Sequence, residues 1–190
     1  MKTQVLFIHG GGSKEDYGED AKLVHSLRAN LGASYRVHYP FLKNEPAPDF
    51  GRTKQIEKEV SSLKGTLILV GHSLGASMIL KYASECKIQK EIAGVFLIAT
   101  PFWKGEQKWI QALKLNVDFS SKLPKNIPVF LYHCCDDQII PIAHLFQYQK
   151  KLPQAVIRKF KSGGHQLNYD LTPVATDIKT QMNRSFNLHQ

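Results

Sequence analysis

Cysteine is scarce in this 190-residue chain, and its placement excludes a disulfide framework. Of the three, Cys134 and Cys135 are adjacent, a pair that closes a disulfide only with strain, and Cys86 is left single. None shows the C-x-x-C spacing of a zinc site, so free thiols, buried or half-buried, are expected and no metal is implied. Long apolar runs are missing too. The run near the N-terminus, Val5-Leu6-Phe7-Ile8, is too short for a membrane span or a signal-peptide core, and no small-residue cleavage site follows it. A cytoplasmic protein is expected. Internal repeats and low-complexity tracts are absent, as is any dense basic run interleaved with aromatics. The formal net charge is +9, but the lysines are spread along the whole chain. That pattern predicts a solvated basic surface and no nucleic-acid partner, and it is compatible with an anionic substrate.

What is present is a regular alternation of strand-like and helix-like segments. Apolar runs at Val5 to Ile8, Tyr35 to Tyr39, Thr66 to Val70, Ile92 to Ala99, Ile127 to Tyr132 and Ala155 to Phe160 read as strands. Between them, Leu23, Leu27 and Leu31 recur at helical spacing from Ala21, with Gly32 as the stop, and Ile56, Val60 and Leu63 mark a second helical face. Ala76 to Ala83 is a third helix. Ile142, Leu145, Phe146 and Leu152 form a fourth face after Pro141, and the last helix is expected to start with Thr172 as N-cap and Pro173 at its first position. The pattern predicts one α/β domain over residues 1–190, with a six-stranded, mostly parallel sheet covered by helices on both faces. The loops after the strands then gather on one sheet edge, where ligands bind in such folds.

One of those loops is Gly71-His72-Ser73-Leu74-Gly75, a G-x-S-x-G motif set between a buried strand and a helix. A serine on so tight a strand-to-helix turn is a nucleophile elbow, its flanking glycines leaving room for the neighbouring strand and helix. Serine needs a base to take its proton and an acid to hold the base. Asp136 and Asp137 follow the fifth strand, and Gly163-Gly164-His165 follows the sixth. The order Ser, Asp, His is that of α/β-hydrolases. An oxyanion hole needs two converging backbone N–H groups. Leu74, after the nucleophile, supplies one; the loop His9-Gly10-Gly11-Gly12 supplies the other, with Gly11 the first choice and Gly10 the second. The donors meet only if the first strand lies beside the third. His72, His9 and His133 are read as structural.

On these motifs the whole chain resembles a minimal α/β-hydrolase, similar in size to the small retinoblastoma-binding-protein-9 and YdeN type of serine hydrolase. The superfamily carries a D-x-x-[VI]-P pattern after the penultimate strand. Aligned on Pro141, the resemblance makes Asp137 the triad acid, with Asp136 the competitor, and His165 the general base. Residues 101–124 form a long connection in which Phe102, Trp103, Trp109, Ile110, Leu113 and Leu115 alternate with lysines. It reads as a surface helix over the sheet edge or as a small lid, with Phe102 and Trp103 as walls of an acyl pocket. No cap domain fits. The expected activity is hydrolysis of carboxylic esters or related acyl bonds through an acyl-enzyme on Ser73, without a cofactor. A thioesterase or acyl transferase on the same residues, or a binding protein that kept the fold, are the alternatives.

Overall fold

Six short apolar segments pair into one sheet in the computed structural model, which describes residues 2–187. They are β1 (Thr3–Ile8), β2 (Tyr35–His38), β3 (Leu67–His72), β4 (Ile92–Ile98), β5 (Val129–Cys134) and β6 (Val156–Phe160). The order is β2-β1-β3-β4-β5-β6 and every pairing is parallel. All six residues of β3 and of β5 are buried, as strands covered on both faces must be.

Side-chain alternation divides the core in two. Leu6, Ile8, Leu69, Val95, Leu97 and Leu131 face one way, against α2 (Arg52–Ser62), α3 (Ser73–Glu85), α5 (Phe119–Lys122) and α6 (Ala143–Lys151). Val5, Phe7, Val70, Phe96, Ile98 and Phe130 face the other, against α1 (Lys14–Leu31) and α7 (Thr172–Asn187). Each such side chain, fully removed from water, contributes roughly 1.5–3 kcal/mol. Phe96 and Phe130 add a stacked pair with centroids 4.6 Å apart.

Two helix starts differ from the sequence reading. α1 begins at Lys14, not Ala21, because Ser13 and Asp16 form a reciprocal capping box. In α7 Thr172 is already the first helical residue, and its N–H donates to Asp170 Oδ1 at 2.9 Å. Cys135 also departs from expectation. It lies just beyond the end of β5 and is exposed, while Cys134 is buried and Cys86 half-buried, all three with free thiols.

Residues 101–124 form neither one helix nor a separate layer. They hold two single turns, α4 (Lys108–Gln111) and α5, and are pinned to the body of the fold. Tyr148 donates to the Pro101 carbonyl at 2.8 Å, the Phe102 N–H donates to His144 Nδ1 at 2.8 Å, and Lys81 donates to the Lys114 carbonyl at 3.0 Å. Among the described residues no helix is long and apolar enough to cross a membrane.

The sheet order reverses between β1 and β3. That switch point is where open α/β sheets bind ligands, and the glycine loop and the G-x-S-x-G motif follow the carboxyl ends of these two strands.

Candidate active site

β3 ends at His72 and α3 begins at Ser73 with no loop between them. The turn forces Ser73 to φ 50, a left-handed conformation that costs a non-glycine residue roughly 1–3 kcal/mol. Ile8 of β1 sits opposite Gly71 in the register. A Cβ on Gly75 would lie 2.4 Å from the Ile8 carbonyl oxygen and 2.3 Å from that of His9; one on Gly71 would lie 2.9 Å from Ala76 N. Both motif glycines therefore stand against backbone that cannot yield, and at Gly71 the Ile79 Cδ1 is closer still, at 2.7 Å. Ser73 is half-buried, and its hydroxyl has no hydrogen-bond partner among the described residues.

The two aspartates after β5 have separate tasks. Asp137 Oδ2 accepts from His165 Nδ1 at 2.9 Å, while Oδ1 accepts from the Ile139 and Ile140 N–H groups, both at 2.9 Å. Burial raises the Asp137 carboxyl, but the His165 hydrogen bond and the two backbone N–H groups outweigh it and hold it below its ordinary value. Asp136 instead accepts from the Gly163 and Gly164 N–H groups at 3.2 and 2.9 Å, fastening the loop that carries His165. His133 donates through Nε2 to the Ile140 carbonyl at 2.7 Å, bracing the acid loop. The Nε2 of His165 has no protein partner among the described residues.

In the glycine loop most N–H groups are already used. Gly10 donates to Asp20 Oδ2 at 2.7 Å, and Gly12 and Ser13 both donate to Asp16 Oδ2 at 3.1 Å. Gly11 N–H alone in this run has no partner among the described residues. A Cβ on Gly11 would fall 1.9 Å from Asp16 Oδ2, so this position closes to any larger residue while Asp16 holds its place. His9 orients the Gly10–Gly11 peptide. Leu42 N–H donates to its Nε2 at 2.9 Å, which leaves the proton on Nδ1, and Nδ1 donates to the Gly10 carbonyl at 2.9 Å. Burial, with the Arg52 guanidinium beside it, holds the His9 imidazole down to about 4, so it stays neutral.

Three residues that the sequence reading did not single out brace the site, two at this loop and one at the elbow helix. Arg52, fully buried, donates to the Gly11 carbonyl and to Asn44 Oδ1, while its Nε and Nη1 have no partner among the described residues. Asp20, also buried, pairs with His72 Nδ1 at 2.8 Å. Both charges fall in step with an apolar helical stripe, Asp20 with Leu23, Leu27 and Leu31, and Arg52 with Ile56 and Val60. A charged residue in that register was the available signal. The third, Ser77, accepts from Trp103 Nε1 at 2.9 Å and donates to the Leu74 carbonyl at 2.9 Å, tying Trp103 to the first turn after the elbow. Phe102 packs edge-on against Tyr148 with centroids 5.0 Å apart.

A half-buried hydroxyl on a strained elbow, a carboxylate-held imidazole with a free Nε2 and a free backbone N–H now stand on one sheet edge. The model of the serine hydrolase family matches residues 25–170. The chain belongs to that family. Solved structures show this serine hydrolase to have the α/β-hydrolase fold. The YdeN gene product from B. subtilis is 17% identical, with a TM-score of 0.67 over 96% of this chain and 100% of that one. A mutant of a meta-cleavage product hydrolase (CumD) is 14% identical, with a TM-score of 0.76 over 97% and 92%. Mouse alpha/beta hydrolase domain-containing protein 10 is 18% identical, with a TM-score of 0.66 over 95% and 90%. No curated protein sequence matches this serine hydrolase. Among its described residues no cluster of three or more His, Cys, Asp or Glu side chains is placed to hold a metal ion.

Proposed function

We propose that this serine hydrolase cleaves carboxylic esters through an acyl-enzyme on Ser73. His165 Nε2 takes the Ser73 proton as the hydroxyl attacks the ester carbonyl, and returns it to the departing alcohol. Asp137 holds His165 in the Nδ1–H tautomer and balances the imidazolium that forms. The carbonyl oxygen becomes an oxyanion received by the N–H groups of Leu74 and Gly11. Leu74 lies in the first turn of α3, whose N–H groups have no intrahelical acceptor. Water then attacks the acyl-enzyme by the same route in reverse. Phe102 and Trp103 wall the acyl pocket.

The observation that carries this reading is the 2.9 Å bond from His165 Nδ1 to Asp137 Oδ2. It fixes the free nitrogen of the base on the other side of the ring. The test is turnover of p-nitrophenyl acetate by wild type, Ser73→Ala and His165→Ala. Each variant is expected to lose several orders of magnitude in kcat, as removal of one member of such a unit does. Wild-type turnover in either variant overturns the mechanism. A parallel series of thioester leaving groups separates ester from thioester preference on the same residues.

A further inference from the structure

Asp20 touches two of the three catalytic segments and reaches the third through one side chain. Its Oδ2 accepts from the N–H of Gly10 in the glycine loop at 2.7 Å. Its carboxylate accepts from Nδ1 of His72, the residue before Ser73, at 2.8 Å to Oδ1 and 3.0 Å to Oδ2. His72 Nε2 in turn donates to the backbone carbonyl of His165 at 3.0 Å. The His72 and His165 rings lie 4.7 Å apart, and a Cβ on Gly10 would stand 3.3 Å from both His72 Nδ1 and Ser73 Cβ. Both nitrogens of His72 thus face acceptors, and the buried ring bridges the Asp20 carboxylate and the His165 carbonyl. A buried carboxylate without such partners is strongly disfavoured. Here burial of the carboxyl is outweighed by the His72 charge and hydrogen bond and the Gly10 N–H, which hold it below its ordinary value.

We infer that Asp20 is a positioning residue for the hydrolytic reaction, a single anchor that fixes the oxyanion loop, the nucleophile elbow and the base loop relative to one another. The inference rests on the roles proposed above for Ser73, His165 and Gly11. Asp20 never meets the substrate. It acts through the Gly10 N–H and through the His72 ring, so its loss displaces reacting groups without removing any.

The substitutions Asp20→Asn and Asp20→Ala separate this role from a merely structural one. An asparagine can meet the same partners with His72 in its Nε2–H tautomer. Its Oδ1 accepts from Gly10, its amide N–H donates to His72 Nδ1, and His72 Nε2–H still reaches the His165 carbonyl. Alanine leaves the Gly10 and His72 donors unmatched. Both variants and wild type are assayed with p-nitrophenyl acetate and with a fluorophosphonate that labels Ser73, below each protein's unfolding midpoint. Expected is a fall in kcat of about 10²-fold for Asp20→Ala, the effect of misplacing reacting groups by about 1 Å. KM should stay within about twofold of wild type, since substrate contacts are intact. Asp20→Asn should recover most of the lost kcat. If Asp20→Ala does not fold, Asp20→Glu takes its place, keeping the charge but too long for the geometry, and it should be slow. Wild-type kcat in the Ala or Glu variant, or an Asn variant no faster than these, overturns the inference while leaving the mechanism intact. Failure of wild type itself to label or turn over overturns both.

Discussion

Asp136 and Asp137 are neighbours in the chain and hold the base from two sides. Asp137 takes the imidazole of His165 through its Nδ1, and Asp136 takes the backbone of the loop beneath it through Gly163 and Gly164. One aspartate orients the ring and the other fixes the hinge on which it stands. Only Asp137 reaches the ring, which is why the proposed triad takes it, and not Asp136, as the acid.

Asp137→Asn is expected to lower kcat on p-nitrophenyl acetate by about 10⁴-fold, because asparagine favours the wrong imidazole tautomer. Asp136→Asn leaves the ring's partner in place and should cost no more than about tenfold, through looser positioning. Steady-state kinetics of the two variants decide the matter. A larger loss from Asp136→Asn would move the acid by one residue.

Gly11→Ala drives its methyl group onto Asp16 Oδ2, which is already holding Gly12 and Ser13. The loop has to open to admit it, and the Gly11 N–H leaves its place. Loss of one oxyanion donor corresponds to about 10²–10³ in kcat. The expected signature is a fall of that size with folding retained by circular dichroism. A fully active Gly11→Ala enzyme places the second donor elsewhere.

His9 makes the fold acid-sensitive in a defined window. Above pH 6.5 it is neutral in both folded and unfolded chains. Below pH 6.5 the unfolded chain binds a proton that the folded one refuses until about pH 4, so stability falls as pH falls between these limits. The span corresponds to about 3 kcal/mol. Asp20 and Asp137, with carboxyls held low in the folded state, act in the same direction at lower pH still. Urea unfolding at pH 7 and pH 4.5 should show a smaller loss for His9→Asn, whose amide stands where Nδ1 does and does not titrate. Equal losses in the two proteins would sink this account.

Trp103→Ala removes the indole from the proposed acyl pocket and frees Ser77 Oγ. A preference among acyl chains should change with it. The ratio of kcat/KM for p-nitrophenyl butyrate to that for the acetate is expected to shift about tenfold, the size of a methylene-scale discrimination. An unaltered ratio would place the acyl chain against another wall.

The elements that sequence could reveal are those encoded locally. Buried strands read as apolar runs, and the elbow reads as two glycines, a serine and a strand-to-helix change within a few residues. Even the pairing of β1 with β3 was legible, because two donors on separate loops had to meet. The start of α1 was not. Gly18 and a dense run of polar residues hide the helical stripe there, and only Ser13 and Asp16 mark its true beginning. Asp20 and Arg52 were hidden for another reason. Their partners lie far along the chain, His72 being 52 residues from Asp20 and Gly11 being 41 residues from Arg52. Only folding shows what a buried charge was put there to hold.

Arg52 gives the loop above it an unusual relation to water. Most buried side chains resist opening because exposure costs them free energy. This guanidinium gains by it, since burial lowers it to about 10 and leaves two of its nitrogens without a partner among the described residues. Segment 41–52, which ends in this arginine, is therefore expected to lift away from the sheet at lower cost than the strands beside it. In native-state hydrogen exchange it should open before the strands on either side, exposing the back of the glycine loop while the elbow beneath stays shut.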